Sequence, residues 1–235
     1  MDFSVNTVVF DALAFIRHNA AVFRKYVFLP VILSLASLFL IKIPVAGLGL
    51  SAVSNALALS LLGVSASRFY LLGNAEKVAD GANRPFARFF FLTFMMTFLG
   101  NMSEVFTLLP PSLQGGMFLW MVLGLWINLK TCLAFPALAL DHPGSVWDNI
   151  VGSFNWTGGL ALKIIGSFLI CYSPVIFFTL MLMQVPDLMP GENDFLRSLP
   201  QLAFSNILII FSMLWSSLVL AKIYQHVVID GNKAT

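Results

Sequence analysis

Residues 115–140, GGMFLWMVLGLWINLKTCLAFPALAL, decide the fold class, because these 26 residues carry a single charge, that of Lys130. A helix rises ~1.5 Å per residue, so a helix of this length reaches about 39 Å. That exceeds the ~30 Å hydrocarbon core of a bilayer. A soluble helix keeps one polar face for water, whereas this stretch is apolar almost throughout. It therefore predicts a membrane span.

Similar stretches recur along the chain. Of its 235 residues, 59% are hydrophobic and 10% are charged, whereas about a quarter of the residues are charged in soluble domains. We predict an all-α polytopic membrane protein with one domain and six transmembrane helices, arranged as three successive hairpins. The predicted spans cover residues 26–43, 50–72, 88–109, 115–140, 159–184 and 199–222. The hairpins are either a true threefold repeat or independent helix pairs.

Two shorter segments have the pattern of interfacial amphipathic helices. Residues 4–19 place polar side chains on one side and an apolar stripe on the other, formed by Val5, Val8, Val9, Ala12, Leu13 and Ile16. Residues 145–156 begin with Ser145 and Asp148 at capping-box spacing. Their apolar face contains Val146, Trp147, Ile150, Val151 and Phe154. We predict that both helices lie in the membrane interface, the second just before span five.

The predicted second span carries a stripe of small residues at spacings of three and four, namely Ala52, Ala56, Ser60, Gly63 and Ser67. Small residues let a neighbouring backbone approach closely in a membrane. The stripe predicts tight helix packing, and a substrate path lined by small polar groups is the alternative.

The basic residues predict the orientation of the spans. Eleven lie on one side of the predicted membrane, at Arg17, Arg24, Lys25, Arg68, Lys77, Arg84, Arg88, Lys130, Lys163, Lys222 and Lys233. Two lie on the other side, Lys42 and Arg197. Because cytoplasmic loops carry the excess of Lys and Arg, we expect both termini in the cytoplasm.

Several chemistries find no support in the sequence. The net charge of +2 is too small to indicate nucleic acid as a partner. Cys132 and Cys171 lie singly inside predicted spans and indicate neither a disulfide framework nor a zinc site. His18, His142 and His226 all fall at span boundaries, where haem ligation is not expected. No nucleophile elbow, HExxH or P-loop motif is present. We expect no catalytic residues, no cofactor and no metal.

Three residues are candidates for lipid or ligand contact: Arg68, Asn128 and Lys130. Lys130 lies about ten residues before the turn at Asp141, and a charge at that depth is costly unless it reaches the interface or a partner. It either extends to the headgroups, joins a polar cluster with Asn128 or Asn55, or binds a ligand. Arg68 lies near a span end, where lipid phosphate or a helix terminus is the ordinary partner.

Three short stretches resemble a family of uncharacterised bacterial six-span inner-membrane proteins. They are residues 67–73 (SRFYLLG), 133–141 (LAFPALALD) and 153–159 (SFNWTGG). The chain departs from that family at Ser65, Ala66 and Asn74, where an aromatic residue before the arginine and an acid after the glycine are usual. The resemblance implies a bacterial cytoplasmic membrane and a six-helix bundle, and no activity.

Two functions are compatible with these observations. The first is a non-catalytic accessory or assembly subunit of a larger membrane complex, in contact with the lipid bilayer and other membrane proteins. It is favoured by the lack of a polar intramembrane constellation and by 23 Phe residues. The alternative is a small transporter or lipid-handling protein with a site near Lys130, Arg68 and Asn128. An enzyme is not expected.

Overall fold

The computed structural model describes residues 3–40, 43, 47–73, 83–107, 111–183 and 195–231, with backbone only at residues 48, 83, 100–107, 111–115, 183 and 195–199. Within these ranges the chain is helical and no residue belongs to a β-strand, which confirms the all-α class. The helices are α1 (Val5–His18), α2 (Ala20–Leu40), α3 (Gly47–Leu72), α4 (Asn83–Thr107), α5 (Pro111–Thr131), α6 (Ala134–Ala139), α7 (Val146–Trp156), α8 (Ala161–Met183) and α9 (Phe195–Tyr224). A π-helical turn, Gln225–Ile229, extends α9.

Four helices in the described part of the chain are long and apolar enough to span a membrane, as expected of a membrane protein. They are Ala20–Leu40, Gly49–Leu72, Ala161–Leu182 and Pro200–Ile229, at the places predicted for spans one, two, five and six. A shorter apolar helix covers Gly116–Thr131 within α5.

The interior of the bundle is built around α3 and α9, which pack against each other. Their buried side chains include Leu62 and Ala66 on α3 and Leu214 and Leu218 on α9. The small-residue stripe of α3 lies in this interior, and a Cβ added at Gly63 would come within 2.4 Å of the Phe89 ring on α4. The stripe therefore allows close helix packing, as predicted.

The N-terminal amphipathic helix α1 packs its apolar stripe against α8 and α9, with Val8, Val9, Ala12 and Ile16 buried. The Trp215 indole of α9 donates to the Val9 carbonyl at 2.8 Å. The Lys222 ammonium pairs with Asp11. The predicted helix and its apolar stripe are confirmed, the stripe packs on the protein, and the location in the membrane interface stays a prediction.

The stretch predicted as one continuous span, residues 115–140, is two helices. α5 ends at Thr131 and α6 begins at Ala134, with a turn at Cys132 and Leu133 between them. Pro136 favours the interruption, because it has no N–H to donate to the Cys132 carbonyl and its ring would crowd that carbonyl in a continuous helix. A proline alone does not break a helix of this chain, since α2 and α8 continue through Pro30 and Pro174. Pro136 is tolerated within the first turn of α6, where backbone N–H groups have no intrahelical acceptor.

A serine from another helix satisfies the backbone groups that this break releases. The Ser153 hydroxyl of α7 donates to the Lys130 carbonyl at 2.7 Å and accepts from the Leu133 N–H at 3.2 Å. Ser153 is completely buried. Because buried backbone polar groups require hydrogen-bond partners, Ser153 stabilises the interrupted helix.

The helix α7 begins at the predicted place and with the predicted cap. Ser145 and Asp148 form a capping box, each side chain accepting from the other's backbone N–H. It differs from α1 because the face turned into the protein combines the polar residues Asn149 and Ser153 with the partly buried Val146 and Ile150. Trp147, which is 71% exposed, and Val151 point outward.

Candidate functional site

A cavity of about 570 Å³ lies inside the bundle, between α3, α4, α5, α6, α8 and α9. The break in the fourth predicted span forms part of its wall, because Cys132, Phe135 and Pro136 all line it. Most of the other lining side chains are apolar, for example Leu59 on α3 and Phe168 on α8. Its volume is within the ~300–1,000 Å³ range of small-molecule sites.

The cavity opens on the side of the bundle where α5 and α8 face each other. Leu125 of α5 and Leu169 of α8 both line it, yet their exposed fractions are 65% and 58%. Asn128 also lines the cavity and is exposed, with its amide donating to the Gly124 carbonyl at 2.9 Å. These three residues mark a mouth on the apolar outer surface, which we call the α5–α8 mouth.

Polar groups are interspersed along the apolar lining. Besides Asn128, they are Ser67, Thr93, Thr97, Tyr172, Ser216 and Ser217. Several of these groups are held by their own helices. Thr93 donates to the Phe89 carbonyl at 2.9 Å, and Ser217 donates to the Met213 carbonyl at 2.8 Å. The Tyr172 hydroxyl lies 2.9 Å from the Met213 sulfur. The site can therefore hold an apolar molecule and offer it hydrogen bonds.

Arg68, one of the three predicted site residues, does not line the cavity. It is buried, and its guanidinium Nη1 donates to the carbonyl of Ala139 at 3.0 Å. Ala139 is the last residue of α6, so Arg68 satisfies a C-terminal carbonyl and complements the negative end of that helix. Arg68 thus ties α3 to α6 beside the cavity.

The chain after α6 is held by two further arginines, Arg84 and Arg88. Asp141 has a φ of 56°, and the His142 N–H bonds the Ala137 carbonyl at 3.0 Å, the pattern of a Schellman motif. Gly is usual at such a position. Here the aspartate carboxylate pairs with Arg88 at 3.0 Å and with Arg84 at 3.6 Å, which fixes α4 to this turn.

Lys130 is half-buried and is not among the residues that line the cavity. Its carbonyl accepts from Ser153. Among the described residues its ammonium forms no hydrogen bond or ion pair. The polar cluster of Lys130 with Asn128 or Asn55 is therefore not formed among them. Of the three predicted site residues, the structure therefore brings only Asn128 to the cavity.

The residue that sequence reasoning missed is Ser153, together with the break that it bridges. A signal was present, since Pro136 stands inside the apolar stretch where a continuous helix would need an N–H. Its partner could not be inferred, because Ser153 lies twenty positions from Leu133. The three stretches that carry the family resemblance meet at this place, where Arg68 bonds Ala139 and Ser153 bonds Leu133.

Of the histidines and cysteines, Cys132 alone is among the described residues that line the cavity. Cys132 and Cys171 are free and buried, and within the described ranges no group of three His, Cys, Asp or Glu side chains is arranged to hold a metal ion. Comparison with known proteins adds no homologue: no family model, no curated protein and no solved structure matches this chain.

Proposed function

We propose that this chain is a non-catalytic integral membrane protein that binds an amphipathic molecule taken from the bilayer. The observation that carries the proposal is the cavity behind the α5–α8 mouth. Its mouth is edged by exposed apolar side chains, Leu125 and Leu169, so the adjoining medium is lipid rather than water if the helices span the membrane. A lipophilic molecule can enter from that side without crossing an aqueous phase.

The proposal uses the six-span arrangement expected from the sequence. Two further helices would complete the four long apolar ones: α4 with 25 residues, and α5 with 21. At ~1.5 Å per residue these reach about 37 and 31 Å, enough to cross the hydrocarbon core. The resemblance of the three short stretches favours the bacterial cytoplasmic membrane, and the eleven-to-two distribution of basic residues favours both termini in the cytoplasm.

The contacts at one end of the bundle support this orientation. Lys163 at the start of α8 donates to the Phe3 carbonyl at 3.1 Å, and Lys222 near the end of α9 pairs with Asp11. Both residues therefore lie at the end where α1 packs. Arg68, near the end of α3, joins the segment that leads to α7. Basic side chains collected at one end are expected of the cytoplasmic face.

Co-purification tests the binding of a bilayer molecule. The protein is purified in mild detergent, extracted with organic solvent, and the extract is analysed by mass spectrometry. Ser217→Phe places a ring in the cavity and should lower the retained amphiphile about tenfold, a loss of about 1.4 kcal/mol in binding free energy, because the ring excludes part of the ligand. Ser173→Phe is the matched control, since Ser173 also donates to its own helix, at the Ile170 carbonyl, but is exposed and outside the cavity.

If Ser217→Phe and Ser173→Phe retain equal amounts of the amphiphile, the cavity is not where it binds. A wild-type extract with no molecule in stoichiometric amount, from either detergent or reconstituted bilayers, would remove the proposed function.

Cysteine labelling tests the topology. In a background with Cys132→Ala and Cys171→Ala, single cysteines at positions 4, 83, 148 and 233 should react with a membrane-impermeant reagent only from the cytoplasmic side. Positions 114 and 193 should react only from the other side. Position 148 is chosen because its neighbour Asn149 is buried. Labelling of position 193 from the cytoplasmic side alone would contradict six spans.

A second candidate function is that of an accessory or assembly subunit of a larger membrane complex. The favouring observation is the outer face of α5, where large apolar side chains are exposed, namely Phe118, Leu119, Met121, Val122, Leu123, Leu125 and Trp126. Aromatic residues and Met are enriched at subunit contacts. Cross-linking from position 119 in native membranes tests this function. Cross-links to lipid alone would contradict a subunit role.

A further inference from the structure

We propose that the molecule bound in the cavity is uncharged and that its polar end donates a hydrogen bond, as a long-chain alcohol does. This inference rests on the proposed function, because it specifies the ligand class of the same site. It follows from the charge and from the hydrogen-bond groups of the lining side chains.

The lining offers no counter-charge. All of the residues described around the cavity are uncharged. The nearby basic side chains lie outside the lining: Arg68 bonds the Ala139 carbonyl, Arg88 bonds the Asp141 carboxylate, and Lys130 does not line the cavity. Moving a carboxylate or phosphate into an apolar site without a paired cation is strongly unfavourable. An anionic headgroup therefore does not suit this cavity, whereas an uncharged polar group does.

The hydrogen bonds of the lining leave mainly acceptors for a ligand. Five Ser and Thr residues line the cavity, and three of them, Thr93, Ser216 and Ser217, already donate to carbonyls of their own helices at 2.9, 3.1 and 2.8 Å. A hydroxyl has one hydrogen and two lone pairs, so these three groups can only accept from a ligand. The hydroxyls of Ser67 and Thr97 can either donate or accept.

Asn128 is placed to recognise the polar end of the ligand. It lines the cavity at the α5–α8 mouth, and one amide hydrogen is used on the Gly124 carbonyl. Its second amide hydrogen and its Oδ1 have no partner among the described residues, and Oδ1 can accept from a ligand hydroxyl. The apolar chain of the ligand would then extend between Phe168 and Leu220.

Photolabelling by competition tests the ligand class. The protein is reconstituted in phosphatidylcholine nanodiscs with hexadecanol that bears a diazirine, and labelled peptides are identified by mass spectrometry. Hexadecanol, hexadecanoate at pH 9 and hexadecane are then added as competitors at equal mole fraction in the bilayer. We expect labelling within residues 125–136 and 165–172, and competition by hexadecanol about tenfold stronger than by the other two.

The outcomes separate the two proposals. Labelling of the cavity with hexadecanoate as an equal competitor would overturn the argument from charge, and hexadecane as an equal competitor would overturn the argument from hydrogen bonding. In both cases the binding function would stand. No labelling of cavity peptides by the alcohol probe or by a diazirine-bearing alkane would overturn the function and the inference together.

A variant locates the polar contact. Asn128→Leu should weaken competition by hexadecanol about three- to tenfold, the effect of one lost hydrogen bond, and leave competition by hexadecane unchanged. Thr179→Val is the matched control, because Thr179 is also exposed on a long apolar helix and donates to the carbonyl four residues earlier, at Val175, but does not line the cavity. Unchanged hexadecanol competition in Asn128→Leu would exclude Asn128 as the recognition group.

Discussion

The two amphipathic helices α1 and α7 differ in the side chains that they turn toward the protein. α1 buries Val8, Val9 and Ala12 against α8 and α9, so its apolar stripe faces the protein. α7 buries Asn149 and Ser153 beside the partly buried Val146 and Ile150 and leaves Trp147 exposed, so its inward face is both polar and apolar. Beside a bilayer an apolar outer face costs nothing, and the inner face is then free to supply hydrogen bonds that the bundle lacks. An amphipathic pattern therefore identifies a helix but not which face meets the protein.

The largest loss of stability is expected from a charge on the inner face of α1. Ala12 is fully buried, and Ala12→Asp would place a carboxylate without a cation against α8 and α9. We expect a loss of stability of about 3 kcal/mol or more, measured as a lower thermal midpoint in detergent. Ala14→Asp on the exposed side of the same helix should change it little. Equal effects at the two positions would show that α1 does not pack on the bundle.

On α7 the sensitive position is polar. Ser153→Ala removes the donor to the Lys130 carbonyl and the acceptor for the Leu133 N–H. These buried backbone groups would lose their partners, at a cost of about 1–3 kcal/mol in unfolding free energy. Ser173→Ala, at an exposed serine, is the control in the same denaturation assay. A wild-type midpoint for Ser153→Ala would mean that the break between α5 and α6 does not depend on α7.

The cap of α7 gives a smaller, pH-dependent effect. The backbone N–H and hydroxyl of Ser145 hydrogen-bond the Asp148 carboxylate and lower its pKa below the ordinary value. The stabilisation is therefore present above the unfolded pKa of about 3.9 and is lost as the pH falls through the lower folded pKa. Asp148→Asn should lower the thermal midpoint at pH 7 and reduce its fall below pH 4. An unchanged acid profile would contradict this assignment.

The smallest change is expected at the neighbouring inward-facing residue. Asn149 donates to the Ser145 carbonyl at 2.9 Å, but its Oδ1 is buried without a partner among the described residues. Asn149→Leu exchanges one hydrogen bond for removal of this unsatisfied oxygen, so stability should stay within about 1 kcal/mol of wild type. Chemical denaturation measures it beside Ser153→Ala. A loss as large as that of Ser153→Ala would reveal a partner for Oδ1.

Features that depend on near neighbours in sequence were predictable. The apolar stripe of α1 and the Ser145–Asp148 cap both appear at the expected positions, because helical periodicity and capping act within a turn or two. The small residues of α3 predicted the close approach that Gly63 allows to Phe89. The candidate Asn128 was found for a similar reason, since an amide inside an apolar stretch is conspicuous by itself.

The sequence by itself determined that this chain is helical and apolar enough to span a membrane, because hydrophobic length and period are local properties. Only the tertiary structure decided that residues 115–140 are interrupted and that the interruption borders a cavity. A proline shows that one backbone bond is missing, but whether the chain breaks or bends depends on partners such as Ser153 on α7. The cavity likewise requires six helices to meet, and which side chains share a space is a property of their packing.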